Sequence, residues 1–190
     1  MKILTTDFSD VFIIKSEKII DKRGWFVENF RLKDLELHFG HQIKFCQENK
    51  SFSKHGVLRG LHYQLPPYAQ SKLVSVISGK VLDVIVDIKK GSPTFGKYIS
   101  IELSSANQLQ VFIPRGYAHG YICLSKSAIF SYKVDNYYCK KAEGSISFDD
   151  PKLAIDWQLD KKEIIVSDKD KNHPFLHDAK CFKYNDSLYA

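Results

Sequence analysis

The architecture of this chain is inferred most directly from residues 57–64, which read Val57-Leu58-Arg59-Gly60-Leu61-His62-Tyr63-Gln64. The composition is that of a short β-strand, yet one arginine and one histidine stand among the apolar residues. If the strand faces the inside of a barrel, both side chains lie in a pocket. Later segments add three more polar residues, namely Lys72, His119 and Tyr132. A base, a phenol and several cations on one barrel indicate proton transfer on an anionic substrate.

The chain has 190 residues, of which 44% are hydrophobic and 26% are charged. This length is enough for one well-buried core and short for two. We therefore expect a single domain over residues 1–190, with its core at about 11–170 and a C-terminal tail at 171–190. No apolar run is long enough to cross a bilayer, and no signal-peptide pattern opens the chain. These features favour a cytoplasmic protein without a membrane partner.

The charged residues and cysteines exclude some classes of partner. The formal net charge is +6, but the lysines occur as dispersed pairs and no nucleic-acid-binding motif is present. We therefore expect no nucleic-acid partner. The four cysteines are far apart and form no C-x-x-C pair, which favours reduced thiols over disulfides or a zinc site.

Turn signals divide most of the chain into short apolar or alternating segments. The patterns at 25–30 and 43–49 predict strands, and the spacing of apolar residues at 31–39 predicts a brief helix ended by Gly40. About ten short strands with little helix predict an antiparallel sandwich or barrel. We choose a jelly roll, because such a barrel can enclose a ligand cavity.

The β pattern is strongest between residues 72 and 103. Residues 81–88 are nearly all apolar, which predicts a strand that is buried on both faces. Asp83 within this strand needs a partner or a proton. The preceding Ser78-Gly79 predicts a hairpin-type turn.

A metal site is the first alternative to acid–base chemistry. Metal-binding jelly rolls usually carry two histidines one residue apart, then an acid, and a third histidine on a later strand. Here Gln64 occupies the second histidine position, no glutamate follows before Gly79, and only His119 fits the later ligand. Two histidines without a carboxylate make a weak site for a divalent ion. The pocket is interpreted as metal-free.

A serine or cysteine nucleophile is the second alternative. The chain has no G-x-S-x-G element, and no cysteine adjoins a histidine, although a triad assembled in space stays open. No Walker or Rossmann glycine pattern is present, so no cofactor is expected.

Acid–base chemistry remains. His62 can accept a carbon-bound proton if a carboxylate orients it. Tyr132 can return a proton, and we expect nearby cations to make this phenol a better acid. Removal of a proton beside a carbonyl generates an enolate, which an ammonium such as that of Lys72 stabilises.

The chain resembles the dTDP-4-dehydrorhamnose 3,5-epimerases of nucleotide-sugar metabolism from about residue 11 to residue 170. The segments that carry the resemblance are DKRGWF (21–26), QEN (47–49), LRGLHYQ (58–64), AQSKLV (69–74), DVIVD (83–87), SPTFG (92–96), PRGYAHG (114–120), YK with NYY (132–133 and 136–138) and EGSI (143–146). The resemblance implies a metal-free cupin-type jelly roll. It also implies a homodimer in which N-terminal strands are exchanged between subunits.

The resemblance further implies roles for residues. His62 is the base and is paired with Asp170, Tyr132 is the acid on the opposite face of the sugar, and Lys72 lies near the C4 carbonyl oxygen. The residues expected to hold the nucleotide and sugar, some of them from the partner subunit, are Arg23, Phe26, Glu28, Gln47, Glu48, Asn49, Arg59, His119, Tyr138, Glu143 and Lys169. One departure is Ser75, where many relatives carry arginine.

The function expected from these residues is epimerisation of a nucleotide-linked 4-keto-6-deoxy sugar at C3 and C5, or at one of them. The substrate is a dTDP-linked hexose or a GDP-linked heptose, and the sequence leaves that choice open. A C3-only epimerase, a ketoisomerase and a non-catalytic sugar-nucleotide-binding protein of the same fold are the alternatives.

Overall fold

The computed structural model describes residues 1–189, and its strands form two antiparallel sheets that face each other. The elements in chain order are β1 Lys2–Thr5, β2 Phe12–Lys15, β3 Lys18–Asp21, β4 Gly24–Val27, α1 Leu32–Phe39, β5 Gln47–Lys54, β6 Leu58–Gln64, β7 Lys72–Ser78, β8 Lys80–Asp87, β9 Lys89–Lys90, β10 Tyr98–Ser104, β11 Leu109–Ile113, β12 Tyr117–Cys123, β13 Ser127–Val134, β14 Glu143–Ser145 and β15 Phe182–Lys183, with short 3₁₀ turns at Lys140–Ala142, Lys161–Glu163 and Asp170–Asn172.

One sheet has six strands in the order β1-β2-β11-β7-β13-β5, and the other has five in the order β10-β8-β12-β6-β14. Two small sheets complete the fold: the antiparallel hairpin β3–β4 and the parallel pair β9–β15. The predicted jelly-roll arrangement of antiparallel strands is confirmed. Among residues 1–189, no helix is long and apolar enough to cross a membrane.

The interior between the two sheets follows from the alternation of side chains along each strand. Val74 and Phe130 of the six-stranded sheet pack there against Val81 and Ile85 of the five-stranded sheet. The alternate residues of β8, such as Val84, point to the outer face and pack against the C-terminal segment. Residues 81–88 are therefore buried on both faces, as predicted.

The C-terminal segment covers the outer face of the five-stranded sheet. Trp157, Leu176 and Phe182 belong to the same buried cluster as Leu82 and Val84 of β8. On the other side of the molecule, α1 covers part of the outer face of the six-stranded sheet through Leu35, beside Phe112 of β11.

The helix at 31–39 is confirmed to within one residue, because Arg31 is its N-cap and Gly40 its C-cap in a left-handed conformation. The two strands beside it have different bounds from those predicted: the first is Gly24–Val27 and the second is Gln47–Lys54. The first ends at Val27, and beyond it the carbonyl of Asn29 accepts a hydrogen bond from the Ser16 hydroxyl at 2.9 Å rather than from a strand. The second begins at Gln47, because residues 43–46 pack toward α1 instead.

The hairpin predicted at Ser78-Gly79 is wrong. β7 pairs with β11 and β13, whereas β8 pairs with β10 and β12, so the turn crosses from one sheet to the other. Gly79 has φ +81°, and an added Cβ there would lie 2.1 Å from the carbonyl oxygen of Ser127. Gly79 is therefore required where the chain passes from one sheet to the other. The strands with which β7 and β8 pair come from distant parts of the sequence, so the local turn pattern does not predict them.

Candidate functional site

A cavity of about 670 Å³ opens between the two sheets. This volume falls in the range of small-molecule sites. The sequence-predicted residues that line it are Gln47, Asn49, Arg59, His62, Lys72, His119, Tyr132, Tyr138, Glu143, Lys169 and Asp170.

An irregularity in β6 places Arg59 and His62 on the same wall of this cavity. In a regular strand, residues three apart point to opposite faces. The pairing of β6 with β12 shifts register between His119 and Tyr121, which pair with His62 and Arg59 respectively. Gly60 lies inside this bulge, so both polar side chains reach the cavity while Leu58 and Leu61 stay in the outer core.

Asp170 holds the imidazole of His62. The Nε2 atom of His62 lies 3.0 Å from Oδ1 of Asp170, and the His62 side chain is 30% exposed against 6% for Asp170. Burial acts to raise the pKa of Asp170, but the hydrogen bond and charge of His62, with help from His173, outweigh it and lower that pKa. The carboxylate is therefore ionised at neutral pH, and Nδ1 of His62 is left to accept a proton.

Lys72 lies at the start of β7, and its Nζ donates to the carbonyl oxygen of His62 at 3.2 Å. Burial lowers the pKa of Lys72 to about 8, although the negative charges of Asp83 and Glu143 act in the opposite direction. Asp83 has the partner that its apolar strand requires, because its Oδ2 lies 2.7 Å from Nε2 of His119. Burial lowers the pKa of His119, and Asp83 opposes this shift.

Tyr132 lines the cavity from β13, on the sheet that faces β6. Its strand position pairs with Asn49 of β5. Burial raises the pKa of Tyr132, and the neighbouring Tyr121 adds to this, while Asn49 and Arg59 oppose it. The expectation that nearby cations lower this pKa is therefore wrong, because desolvation outweighs the charge of Arg59.

The rim of the cavity carries an ion pair. Nζ of Lys169 donates to Glu143 at 2.6 Å, and the hydroxyl of Tyr138 donates to the other carboxylate oxygen at 3.1 Å. Burial acts to raise the pKa of Glu143, but these two hydrogen bonds lower it on balance. The backbone N–H of Tyr138 also donates to the side chain of Gln47.

The comparisons with known proteins agree with one another. The sequence model of the dTDP-4-dehydrorhamnose 3,5-epimerase family matches residues 5–178. The chain belongs to this family. A dTDP-4-dehydrorhamnose 3,5-epimerase of Shigella flexneri is 45% identical over 182 residues, which are 96% of this chain and 99% of that protein.

Two crystal structures extend the similarity to the fold. The dTDP-4-dehydrorhamnose 3,5-epimerase of Elizabethkingia anophelis NUHP1 has a TM-score of 0.91 and 47% identity, covering 94% of this chain and 97% of that one. The dTDP-6-deoxy-D-glucose-3,5-epimerase of Legionella pneumophila Philadelphia 1, in complex with dTDP-4-keto-L-rhamnose, has a TM-score of 0.92 and 42% identity, covering 97% and 99%. The family assignment and the cupin-type fold predicted from the sequence are confirmed.

Four candidates from the epimerase resemblance lie outside the cavity of one chain. Glu48 alternates with Gln47 and Asn49 along β5, so its carboxylate points to the outer face, where it binds Lys133 at 2.9 Å and Ser131. The structure of one chain therefore differs from the expectation that Glu48 contacts the ligand. The other three lie in or just after the exposed β3–β4 hairpin, and they are Arg23, Phe26 and Glu28.

Two further findings concern residues around the epimerase cavity. Ser75 lies on the outer face of β7, where its hydroxyl approaches the carbonyl of Ser131 at 3.4 Å, so the missing arginine removes no charge from the cavity. No sequence pattern points to His173, although its ring packs edge-on against His62 at 5.3 Å between centroids. His173 follows Asp170 by three residues in the C-terminal tail. This closeness in sequence is the one feature that could have indicated a role at the site.

Proposed function

We propose that this protein inverts C3 and C5 of a dTDP-linked 4-keto-6-deoxy sugar. The observation that carries the proposal is the His62–Asp170 pair, 3.0 Å apart, in a cavity whose facing sheet presents Tyr132. A base on one wall and an acid on the other supply the two groups that inversion of a carbon next to a ketone requires.

The first step is removal of the proton from the carbon beside the C4 ketone. His62 makes a hydrogen bond to Asp170 through Nε2–H, which stays on the ring, and accepts the substrate proton at Nδ1. The ionised Asp170 stabilises the imidazolium that forms, as a buried carboxylate does in other histidine-dependent sites. The electron pair of the broken C–H bond moves to the C4 oxygen and gives an enolate.

Lys72 stabilises that enolate. With its pKa at about 8, most of the amine is protonated at neutral pH, and its burial beside the base strengthens the interaction with a developing negative charge. Tyr132 then protonates the same carbon from the opposite face. Because burial raises the pKa of Tyr132, the phenol holds its proton until the enolate is present.

The nucleotide diphosphate is bound by cations around the cavity. Arg59 and Lys169 line it, and an arginine fork suits phosphate oxygens because it binds two at once. The relative from Legionella pneumophila was crystallised with a dTDP sugar, which favours dTDP over GDP for this chain. Tyr138 offers an exposed ring for stacking with the base.

We also infer that the protein works as a homodimer. The β3–β4 hairpin pairs Ile19 with Phe26 and Ile20 with Trp25, and all four side chains are exposed. A two-stranded hairpin is marginally stable by itself, and exposed apolar surface of this kind indicates an interface. If the hairpin packs on a second copy of this chain, Arg23 at its tip reaches the partner's cavity.

Mixing two inactive variants tests the dimer and the origin of Arg23 together. We expect Arg23→Ala and His62→Ala each to lose activity. After subunit exchange, half of the dimers are mixed and each mixed dimer contains one intact site, so about one quarter of the wild-type rate returns. If Arg23 acts on the cavity of its own chain, or if the protein is a monomer, mixing restores no activity.

We also infer that the chain forms a single domain. The tail residues Leu176 and Phe182 share a core cluster with residues of β6 and β8, which supports a single domain that includes the tail. The cytoplasmic location inferred from the sequence stays a prediction.

Product analysis by NMR tests the catalytic proposal. We expect the purified protein to convert dTDP-4-keto-6-deoxy-D-glucose to the product inverted at C3 and C5, and to act more slowly on the GDP-linked sugar. Inversion at C3 alone would identify a C3-only epimerase. Binding of the dTDP sugar without any conversion would contradict the proposal and leave a sugar-nucleotide-binding protein.

A further inference from the structure

Three possible metal ligands meet at the wall of the cavity, namely His62, Asp170 and His173. Nε2 of His62 lies 3.0 Å from Oδ1 of Asp170, and Nε2 of His173 lies 3.5 Å from the same oxygen. One ligand atom from each of the three residues lies within 4.8 Å of the others. Zinc bound at about 2.0–2.1 Å from its ligands in a tetrahedron holds them about 3.3 Å apart. The two distances to Oδ1 of Asp170 are already close to this value.

The side chain of His173 is buried, with only 5% of it exposed, and its ring nitrogens make no hydrogen bond within residues 1–189. Buried polar nitrogens are normally paired, so an unpaired imidazole that faces a carboxylate and a second imidazole has the environment of a metal ligand. These three ligands are not the His62 and His119 pair that the sequence offered as possible metal ligands. His119 is instead hydrogen-bonded to Asp83.

We propose that His62, Asp170 and His173 form an inhibitory binding site for zinc or a related divalent transition metal ion. Two imidazoles and one carboxylate suit zinc, whereas magnesium and calcium prefer oxygen ligands. The ion takes the place of the hydrogen between His62 and Asp170 and binds the lone pair of His62 Nε2. The imidazole hydrogen then moves to Nδ1, so the nitrogen that would accept the substrate proton has no lone pair to do so. His62 and Asp170 both line the cavity, so water or a substrate oxygen in the cavity would be available as a fourth ligand.

Metal binding is independent of the proposed function, but the inhibition depends on it. Cobalt(II) therefore serves as the first probe, because its visible absorption reports a tetrahedral site without any activity measurement. We expect one equivalent of Co²⁺ to bind per chain with a tetrahedral spectrum, and excess Zn²⁺ to displace it. Zn²⁺ should also inhibit epimerisation, EDTA should reverse the inhibition, and Mg²⁺ should have no effect.

The deciding variant is His173→Phe, which keeps the shape of a buried ring and removes two unpaired nitrogens, so the fold should survive. We expect its affinity for Co²⁺ and Zn²⁺ to fall at least about tenfold. His55→Gln and Cys46→Ser are the controls, because His55 and Cys46 are exposed ligands elsewhere on the chain, and both variants should bind the metal as the wild type does.

Three results would overturn the proposal. The first is equal Co²⁺ affinity in the wild type and in a folded His173→Phe, with the fold checked by thermal denaturation. The second is a thiolate absorption band that disappears in Cys46→Ser. The third is an unchanged spectrum in Asp170→Asn, which removes the carboxylate and serves as the second ligand variant. A failure of epimerisation in metal-free buffer with normal Co²⁺ binding would instead count against the proposed function.

Discussion

Among single residues, Asp170 is central to the proposed chemistry because its carboxylate holds the catalytic base. It is buried, ionised and within hydrogen-bond distance of the His62 imidazole. Asp170→Asn keeps the shape and removes the charge that stabilises the imidazolium. We expect kcat to fall by about 10²–10⁴-fold, the range typical of acid–base groups, with little change in KM. Steady-state kinetics on the dTDP sugar measures both constants.

Asp168 provides the matched control for this substitution. Its side chain is 97% exposed and pairs with Lys171 on the surface, two residues before Asp170 in the same turn. Asp168→Asn should leave kcat within about twofold of the wild type, since a surface ion pair contributes little. Equal losses in both variants would show that the turn, and not the charge of Asp170, is what matters.

Lys72 sets an alkaline limit on activity. The ammonium form is the one that stabilises the enolate, and burial lowers the pKa of Lys72 to about 8. The charged form therefore predominates below pH 8 and is lost above it, so kcat/KM should fall about tenfold per pH unit on the alkaline side. Tyr132 does not cause this fall, because its pKa is raised from an ordinary value near 10.

The conservative variant Lys72→Arg separates this cause from a general loss of structure. A guanidinium stays charged throughout the alkaline range. We expect a lower rate than in the wild type but no decline between pH 8 and pH 9.5. A decline that persists in Lys72→Arg would assign the alkaline limit to another group.

Individual residues were predictable to different degrees. His62, Lys72 and Tyr132 follow from polar side chains in apolar strands, and the need of Asp83 for a partner follows from burial alone. The pKa of Tyr132 was misjudged, because a sequence shows neighbouring charges but not how completely a side chain loses water. His173 was missed, since its position depends on how the tail folds back onto β6.

Among the strands, β6 matters most for the site, because its bulge places Arg59 and His62 on one wall of the cavity. Gly60 has φ +137°, and an added Cβ would lie 2.5 Å from the Cα of Gly120 on the neighbouring strand. Gly60→Ala should therefore lower the free energy of unfolding by about 2–4 kcal/mol, from backbone strain and overpacking together. It should also reduce kcat/KM, because it shifts Arg59 relative to His62. Urea denaturation and kinetics measure the two effects.

Gly40→Ala is the control that measures the cost of backbone strain without overpacking. Gly40 also has a positive φ, at +80°, but an added Cβ there meets nothing within 4 Å. Its cost should be about 1–2 kcal/mol, with no effect on kinetics. A Gly60→Ala variant as stable as Gly40→Ala would show that the close approach of β6 and β12 is not required.

Strand positions were largely predictable, whereas strand partners were not. The nearly continuous apolar run at 81–88 predicted β8 to within one residue at each end. The bulge at Gly60 and the crossing at Gly79 are not visible in local patterns, because each depends on which distant strand lies alongside. Arg59 and His62 were nevertheless assigned to one pocket, and only the bulge explains how residues three apart share it.

At the scale of the whole molecule, the tail holds the outer face of the five-stranded sheet. Phe182 is buried in the same cluster as Val84 and Trp157. Phe182→Ala should lower the free energy of unfolding by about 3–5 kcal/mol. Tyr184→Ala, two residues later and exposed, should change it by less than about 1 kcal/mol. Similar small losses in both would mean that the tail is not part of the folded core.

The exchange of substrate hydrogens with solvent tests the central claim most directly. Incubation of the dTDP-linked 4-keto-6-deoxy sugar with the protein in D₂O should introduce deuterium at C3 and C5, as read by NMR and mass spectrometry. We predict that His62→Ala abolishes incorporation at both carbons while the variant still binds the dTDP sugar. Incorporation at the wild-type rate in His62→Ala would contradict the assignment of His62 as the base.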